Sequence, residues 1–233
     1  MTGRFADRAA AGRALAERLG PLDPATTIVL ALPRGGVPVA FEIARASRAP
    51  LDLVLVRKIG VPGQRELALG AVVDGADPVI AVNEKIARSL GYSEADIVAL
   101  AKTELEEIGR RRDLFTPGRA PLSVAGKTAI VVDDGIATGA TARAALKALK
   151  RSGASKVILA VPVAPLGVME SFAEEADETV CLAEPKSFHS VGGAYKDFAQ
   201  VSDATVTALL AEAAGWVVPG DPQARAQAPM KRG

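Results

Sequence analysis

The sequence predicts an α/β fold, a mainly parallel five-stranded twisted sheet flanked by helices, with a smaller hood or lid region. Two observations predict it. Short apolar runs alternate with segments of helical periodicity, the pattern that favours parallel strands joined by crossover helices. Polar turns follow three of those runs, where an open parallel sheet places its ligands.

Composition agrees with a soluble globular chain. Of 233 residues, 49 % are hydrophobic and 24 % charged, which excludes a disordered polymer. With 28 Lys plus Arg against 27 Asp plus Glu, the net charge gives no general reason to bind nucleic acid. Cys181 is the single cysteine, so no internal disulfide can form and a reducing compartment is expected. The charged first residues lack the apolar core of a secretion signal, and the uncharged stretch 157–169 is short and broken by Pro162 and Pro165. A cytoplasmic protein with no membrane partner is the expectation.

Residues 4–19 have helical periodicity and stop at Gly20-Pro21. Residues 26–32 read as a buried strand, 37–47 as a helix, and 51–56 as a second strand running into Arg57-Lys58-Ile59-Gly60. Residues 60–66 have the composition of a mobile loop, and 69–73 with 79–82 can pair as a hairpin in which Asp74 and Asp77 form the turn. Ser93, with Asp96 three residues on, caps a helix reaching residue 111 or 112. After a Pro- and Gly-containing connector, 128–132 reads as a strand, 133–141 as a polar turn and 142–150 as a helix. Strand 156–161, helix 166–173, edge strand 178–182 and a Ser202-capped helix through residue 213 complete the pattern. Residues 1–218 are thus expected to form a single domain, 60–125 its hood or lid insertion, and 219–233 a flexible tail.

The sharpest chemical signal is Val131-Val132-Asp133-Asp134-Gly135-Ile136-Ala137-Thr138-Gly139-Ala140-Thr141. Gly139 admits a close ligand, Thr138 and Thr141 add hydroxyls, and the amides of a helix start attract phosphate. Asp133 and Asp134 beside that anion cradle would repel phosphate unless they accept sugar hydroxyls or meet a cation. Phosphate, polyol and divalent cation in one loop point to a sugar phosphate. Pro33-Arg34-Gly35-Gly36 offers a second anion turn, with open amides beside a cation. Arg57, Lys58 and Arg65 add charge nearby, which suits a ligand with phosphate at two ends. Other nucleotide signatures fail. Gly126-Lys127-Thr128 precedes a strand, with Pro121 where a Walker A loop needs glycine, and neither Gly-x-Gly-x-x-Gly nor Gly-x-Ser-x-Gly occurs.

On these residues the chain resembles the type I phosphoribosyltransferases, whose signature is a hydrophobic run, two acidic residues and a Thr-Gly-x-Thr loop, matched here at 131–141. The order of elements resembles the family over about residues 26–182. Within it, Pro33-Arg34-Gly35-Gly36-Val37-Pro38, Asp7-Arg8, Ala11-Gly12 and the segment 197–203 look like a poorly characterised bacterial branch. The resemblance implies that Asp133 and Asp134 accept the ribose hydroxyls of phosphoribosyl pyrophosphate. It implies that Ala137, Thr138, Gly139, Ala140 and Thr141 hold the 5′-phosphate. Arg34, Gly35 and Gly36 would lie at the pyrophosphate with Lys58 near it, and Arg34, Lys58, Asp133 and Asp134 would carry the chemistry. Mg²⁺ is implied mainly through the substrate, with at most water-mediated contact to Asp133 or Asp134. A homodimer is a further expectation by resemblance. Ala137 stands where hypoxanthine-guanine members carry an acid, so no base role transfers to it.

The expected function is a Mg²⁺-dependent phosphoribosyltransferase that joins the donor to a small nitrogenous acceptor and releases pyrophosphate. Its alternatives are a non-catalytic phosphoribosyl pyrophosphate-binding regulator and a sugar-phosphate phosphohydrolase. Phe188, Tyr195 and Phe198 read as packing residues that could otherwise stack on a ring, His189 as a polar loop residue, and Cys181 as packing.

Overall fold

The computed structural model describes residues 4–216. Helix α1 spans Arg8–Leu19, beginning later than the periodicity predicts because Asp7 is its N-cap and accepts from the Ala10 amide at 2.7 Å. Strand β1, Thr27–Ala31, is buried along its whole length and feeds α2, Gly36–Ser47. Strand β2 is only Leu51–Leu53.

The chain then leaves the parallel sheet. Strand β3 (Val56–Val61) folds back on β4 (Gln64–Val73), and β4 pairs in turn with β5 (Val79–Val82). These three make a separate antiparallel sheet in the order β3-β4-β5. The expected strand 51–56 is therefore two strands in two sheets. Val54 and Leu55 at the junction are both buried, so one apolar run conceals the change of partner. The Val54 amide still bonds Ala31, whereas the Leu55 carbonyl already accepts from Asp74. The loop expected at 60–66 narrows to a turn, because Gln64 already pairs with Val61.

Helix α3 (Glu84–Ser89), capped by Asn83, precedes α4 (Glu94–Phe115), where Ser93 and Asp96 form the expected capping box. Strand β6 (Thr128–Val132), helix α5 (Ala140–Arg151), strand β7 (Lys156–Val163) and strand β8 (Glu178–Ala183) follow. The helix expected at 166–173 is a single 3₁₀ turn, Met169–Phe172. A second 3₁₀ turn, Val191–Ala194, and helix α6, Asp203–Ala214, end the described chain. The expected tail at 219–233 lies outside the described residues.

The main sheet runs β2-β1-β6-β7-β8, parallel throughout, with Ile28 opposite Ala129 and Ile130 opposite Ile158. Apolar clusters cover both faces. One joins the sheet to α1, α2, α4 and α6, the other joins it to α5 and the edge of the antiparallel sheet. The two sheets meet at a buried ion cluster. Arg112 of α4 donates to Asp52 of β2 at 3.0 Å and pairs with Asp74 at the end of β4 at 2.5 Å, while Asp52 also accepts from the Leu122 amide. Asp74 was expected only as a turn former. It does accept from Gly75, but burial, opposed by Arg112, raises its carboxyl above the usual range. No helix among the described residues is long and apolar enough to cross a membrane.

Candidate active site

Two turns at the carboxyl ends of β1 and β6 meet. The Leu32 amide bonds the Val132 carbonyl at 2.9 Å, so the chains leave their strands side by side. The Pro33–Arg34 peptide is cis, and Gly35 caps α2. Gly35 lies directly under the Asp134 carboxylate and Gly36 against the Val132 carbonyl, with no room for a Cβ at either place. Gly35 and Gly36 are thereby brought against Asp134 and Asp133, so the two turns meet as the order of elements predicts.

The phosphate-loop candidate opens α5. Ile136 is buried and its amide bonds the Val163 carbonyl, pinning the loop to β7. Ala137, Thr138, Ala140 and Thr141 are exposed, around the helix start whose first amides lack intrahelical partners. Gly139 has φ 73°, and a Cβ there would stand 2.5 Å from Phe172 Cζ. The buried Phe172 ring backs the loop, and the Arg143 guanidinium lies 4.3 Å from that ring.

Electrostatics single out the acid pair. Burial first, then the neighbouring Asp134 charge, push the Asp133 carboxyl up to about 8, although its oxygen accepts the Asp134 amide at 2.8 Å. Burial also raises Asp134, against the pull of Arg8, whose Nε donates to Asp134 Oδ2 at 2.8 Å. Tyr195 donates its hydroxyl to the Asp134 carbonyl at 2.5 Å, and burial pushes its phenol upward. Among the described residues no group of three or more His, Cys, Asp or Glu is arranged to hold a metal. Two adjacent carboxylates, both raised chiefly by burial, form a donor set that fits a cation arriving with an anionic ligand rather than a resident protein cage.

Lys58 is placed differently from expectation. It lies within β3, not in a turn at the main sheet's edge, and faces a cavity of about 760 Å³ shared with Ala140, Thr141 and Lys85. It thus shares that cavity with the start of the phosphate loop. Its neighbour Arg57 points to the other face of the strand, where Glu104 of α4 accepts from it at 2.8 Å. Arg34 pairs with Asp203 at the start of α6, at 3.2 Å.

The remaining candidates sort plainly. His189 is exposed, 3.3 Å from the Ser187 hydroxyl. The half-buried Cys181 thiol bonds the Ala183 carbonyl, and burial pushes it up to about 11. Tyr195 is buried and stacks on Phe198 with ring centroids 5.0 Å apart. Arg8, Tyr195 and Asp203 were not among the expected site residues. The sequence signals for them are slight: Tyr195 reads as a packing residue that could otherwise stack on a ring, and Arg8 and Asp203 belong to short segments read by resemblance alone.

Comparison with known proteins agrees with this architecture. The sequence model of the phosphoribosyl transferase domain matches residues 6–192. A Mycobacterium tuberculosis protein provisionally named a phosphoribosyl transferase, Rv0571c, is 48 % identical over 206 residues, covering 88 % of this chain and 46 % of its own length. The chain thus spans about half the length of that relative. The crystal structure of TT1426 from Thermus thermophilus superposes with a TM-score of 0.77 at 40 % identity, covering 90 % of this chain and 98 % of that one. With the parallel sheet, the joined turns and the domain match in agreement, the chain belongs to the phosphoribosyl transferase domain family.

Proposed function

We propose that the protein is a Mg²⁺-dependent phosphoribosyltransferase that uses phosphoribosyl pyrophosphate and a small nitrogenous acceptor. The observation that carries this reading is the contact between Gly35 and the Asp134 carboxylate. It joins an anion-binding turn to a pair of hydroxyl-accepting acids at the threshold of a helix-start phosphate loop, the three subsites such a donor needs.

In this reading Ala137, Thr138, Gly139, Ala140 and Thr141 hold the 5′-phosphate through amides and hydroxyls. Asp133 and Asp134 accept the ribose hydroxyls. Arg34, with Gly35 and Gly36, receives the pyrophosphate and stabilises the negative charge that grows on it as the bond to C1 breaks. Lys58 adds a cation from the antiparallel sheet, on the side of Ala140 and Thr141. Mg²⁺, when bound, neutralises the leaving group. The acceptor nitrogen attacks the opposite face, so orientation of the donor matters more than any covalent protein nucleophile. The hood at 60–125 serves to exclude water. The reading also includes membership of the bacterial branch with the Pro33–Pro38 loop, a cytoplasmic location and homodimer formation.

Calorimetric titration with phosphoribosyl pyrophosphate in excess Mg²⁺ tests the reading, followed by an acceptor screen read by pyrophosphate release. Saturable binding is expected, sharply weakened but still measurable in Asp134→Asn. Unchanged affinity and turnover in that variant would overturn the assignment of Asp134. A second reading, a non-catalytic regulator that binds the donor, is favoured by one feature: Arg34 and Asp134 already carry the countercharges Asp203 and Arg8. Donor binding with no pyrophosphate release from any acceptor would decide for it.

A further inference from the structure

Arg8 occupies the first position of α1, where a cation faces the positive end of the helix dipole and is locally unfavourable. Such conflicts between local preference and placement concentrate at functional sites. The side chain is nevertheless held on three sides. Nε donates to Asp134 Oδ2, Nη1 donates to the Ala199 carbonyl at 2.8 Å, and the guanidinium carbon lies 3.8 Å from the Phe198 ring centroid. Phe198 is itself seated on Tyr195 and against Gly192, and Tyr195 holds the Asp134 carbonyl. Asp134 is therefore fixed at its backbone and at its carboxylate by residues from both ends of the described chain. Only 11 % of the Arg8 side chain and 14 % of the Asp134 side chain remain exposed. Arg8 takes Oδ2, which leaves Oδ1 outside that pairing and on the side available to a ligand.

We propose that Arg8 is a positioning residue for the phosphoribosyl donor, holding Asp134 so that Oδ1 meets the ribose hydroxyls. The assignment rests on the phosphoribosyltransferase reading. Arg8 acts through Asp134 and touches no donor atom. Its planar fork answers the carboxylate and the Ala199 carbonyl from two different nitrogens while its face lies on Phe198, a geometry that the single ammonium of a lysine does not reproduce. Without it the carboxylate gains rotamers in which Oδ1 turns away, and the pair Asp133–Asp134 presents uncompensated charge to an anionic donor.

The test is a double-mutant cycle on the full chain, read as the dissociation constant for phosphoribosyl pyrophosphate in excess Mg²⁺. Arg8→Ala is expected to weaken binding by about tenfold or more in the wild-type background and to change it by less than about twofold in Asp134→Asn. Arg8→Lys, a gentler change should the alanine variant fold poorly, is expected to show a smaller loss that again vanishes in Asp134→Asn. Equal losses in both backgrounds, tracking a fall in melting temperature, would mean that Arg8 only stabilises the fold and would overturn the proposal. Absence of donor binding by the wild-type protein would instead overturn the phosphoribosyltransferase reading, and this assignment with it.

Discussion

The Asp134 carboxylate rests on the Cα of Gly35, joining the turn after β1 to the turn after β6 without an intervening side chain. Gly35→Ala forces that carboxylate off its partner Arg8. A loss of about 1–3 kcal/mol in urea unfolding is expected, together with donor affinity weakened by about a hundredfold. Affinity within twofold of wild type would show that Asp134 does not need this seat.

Gly139 carries a second constraint. Its φ of 73° disfavours any side chain, and Phe172 blocks the space a Cβ would take. Gly139→Ala should cost about 1–3 kcal/mol and should displace the amides that begin α5, lowering affinity for inorganic phosphate as well as for the whole donor. Calorimetry with phosphate alone checks this.

The Arg112 cluster fastens the antiparallel sheet to the main one. Arg112→Met leaves Asp52 and Asp74 buried without their cation, at an expected cost of about 3–5 kcal/mol. Urea unfolding at neutral pH measures it. The penalty should shrink toward acid pH, where the Asp74 carboxyl, raised by burial, is the more readily neutralised.

Asp133 makes the ligand-free protein sensitive to pH. Its folded value of about 8 lies above that of a free carboxyl, so between about pH 4 and 8 the folded state holds a proton that the unfolded state has lost. Stability from this group is fully present below about pH 4 and is lost as pH rises through about 8, with a slope of no more than about 1.4 kcal/mol per pH unit. Asp133→Asn should flatten the stability profile across that window. A profile identical to wild type would remove Asp133 as its source.

Arg34 and Asp203 form an exposed pair, so the fold gains little from it. Asp203→Asn should change stability by less than about 0.5 kcal/mol. In the proposed reading Asp203 competes with pyrophosphate for the Arg34 guanidinium, so the same variant should tighten donor binding by about two- to fivefold. Weaker binding would show that Asp203 assists the donor instead.

What could be read from the sequence was local. Strands β1, β6 and β7 are largely apolar runs bounded by turns, and Ser93 with Asp96 announces its cap three residues ahead. The Gly35 and Asp133–Thr141 turns could be joined in advance because parallel sheets bring such turns to one edge. The exchange of partners at Val54–Leu55 could not, since both residues are apolar in either sheet. Helix α3 was missed because six residues carry little periodicity. Arg8 lies 126 residues from Asp134 and 191 from Ala199, distances over which no spacing rule operates.

Those separations also bear on the order of events in folding. Long loops close late, because their entropy must be lost before their contacts form. The parallel strands and the start of α5 can assemble while the segment after β8 is still loose. Arg8 can take its place only when residues 195–199 arrive to receive it. Asp134 is thus held at both its carboxylate and its backbone only once the two ends of the described chain have come together on it.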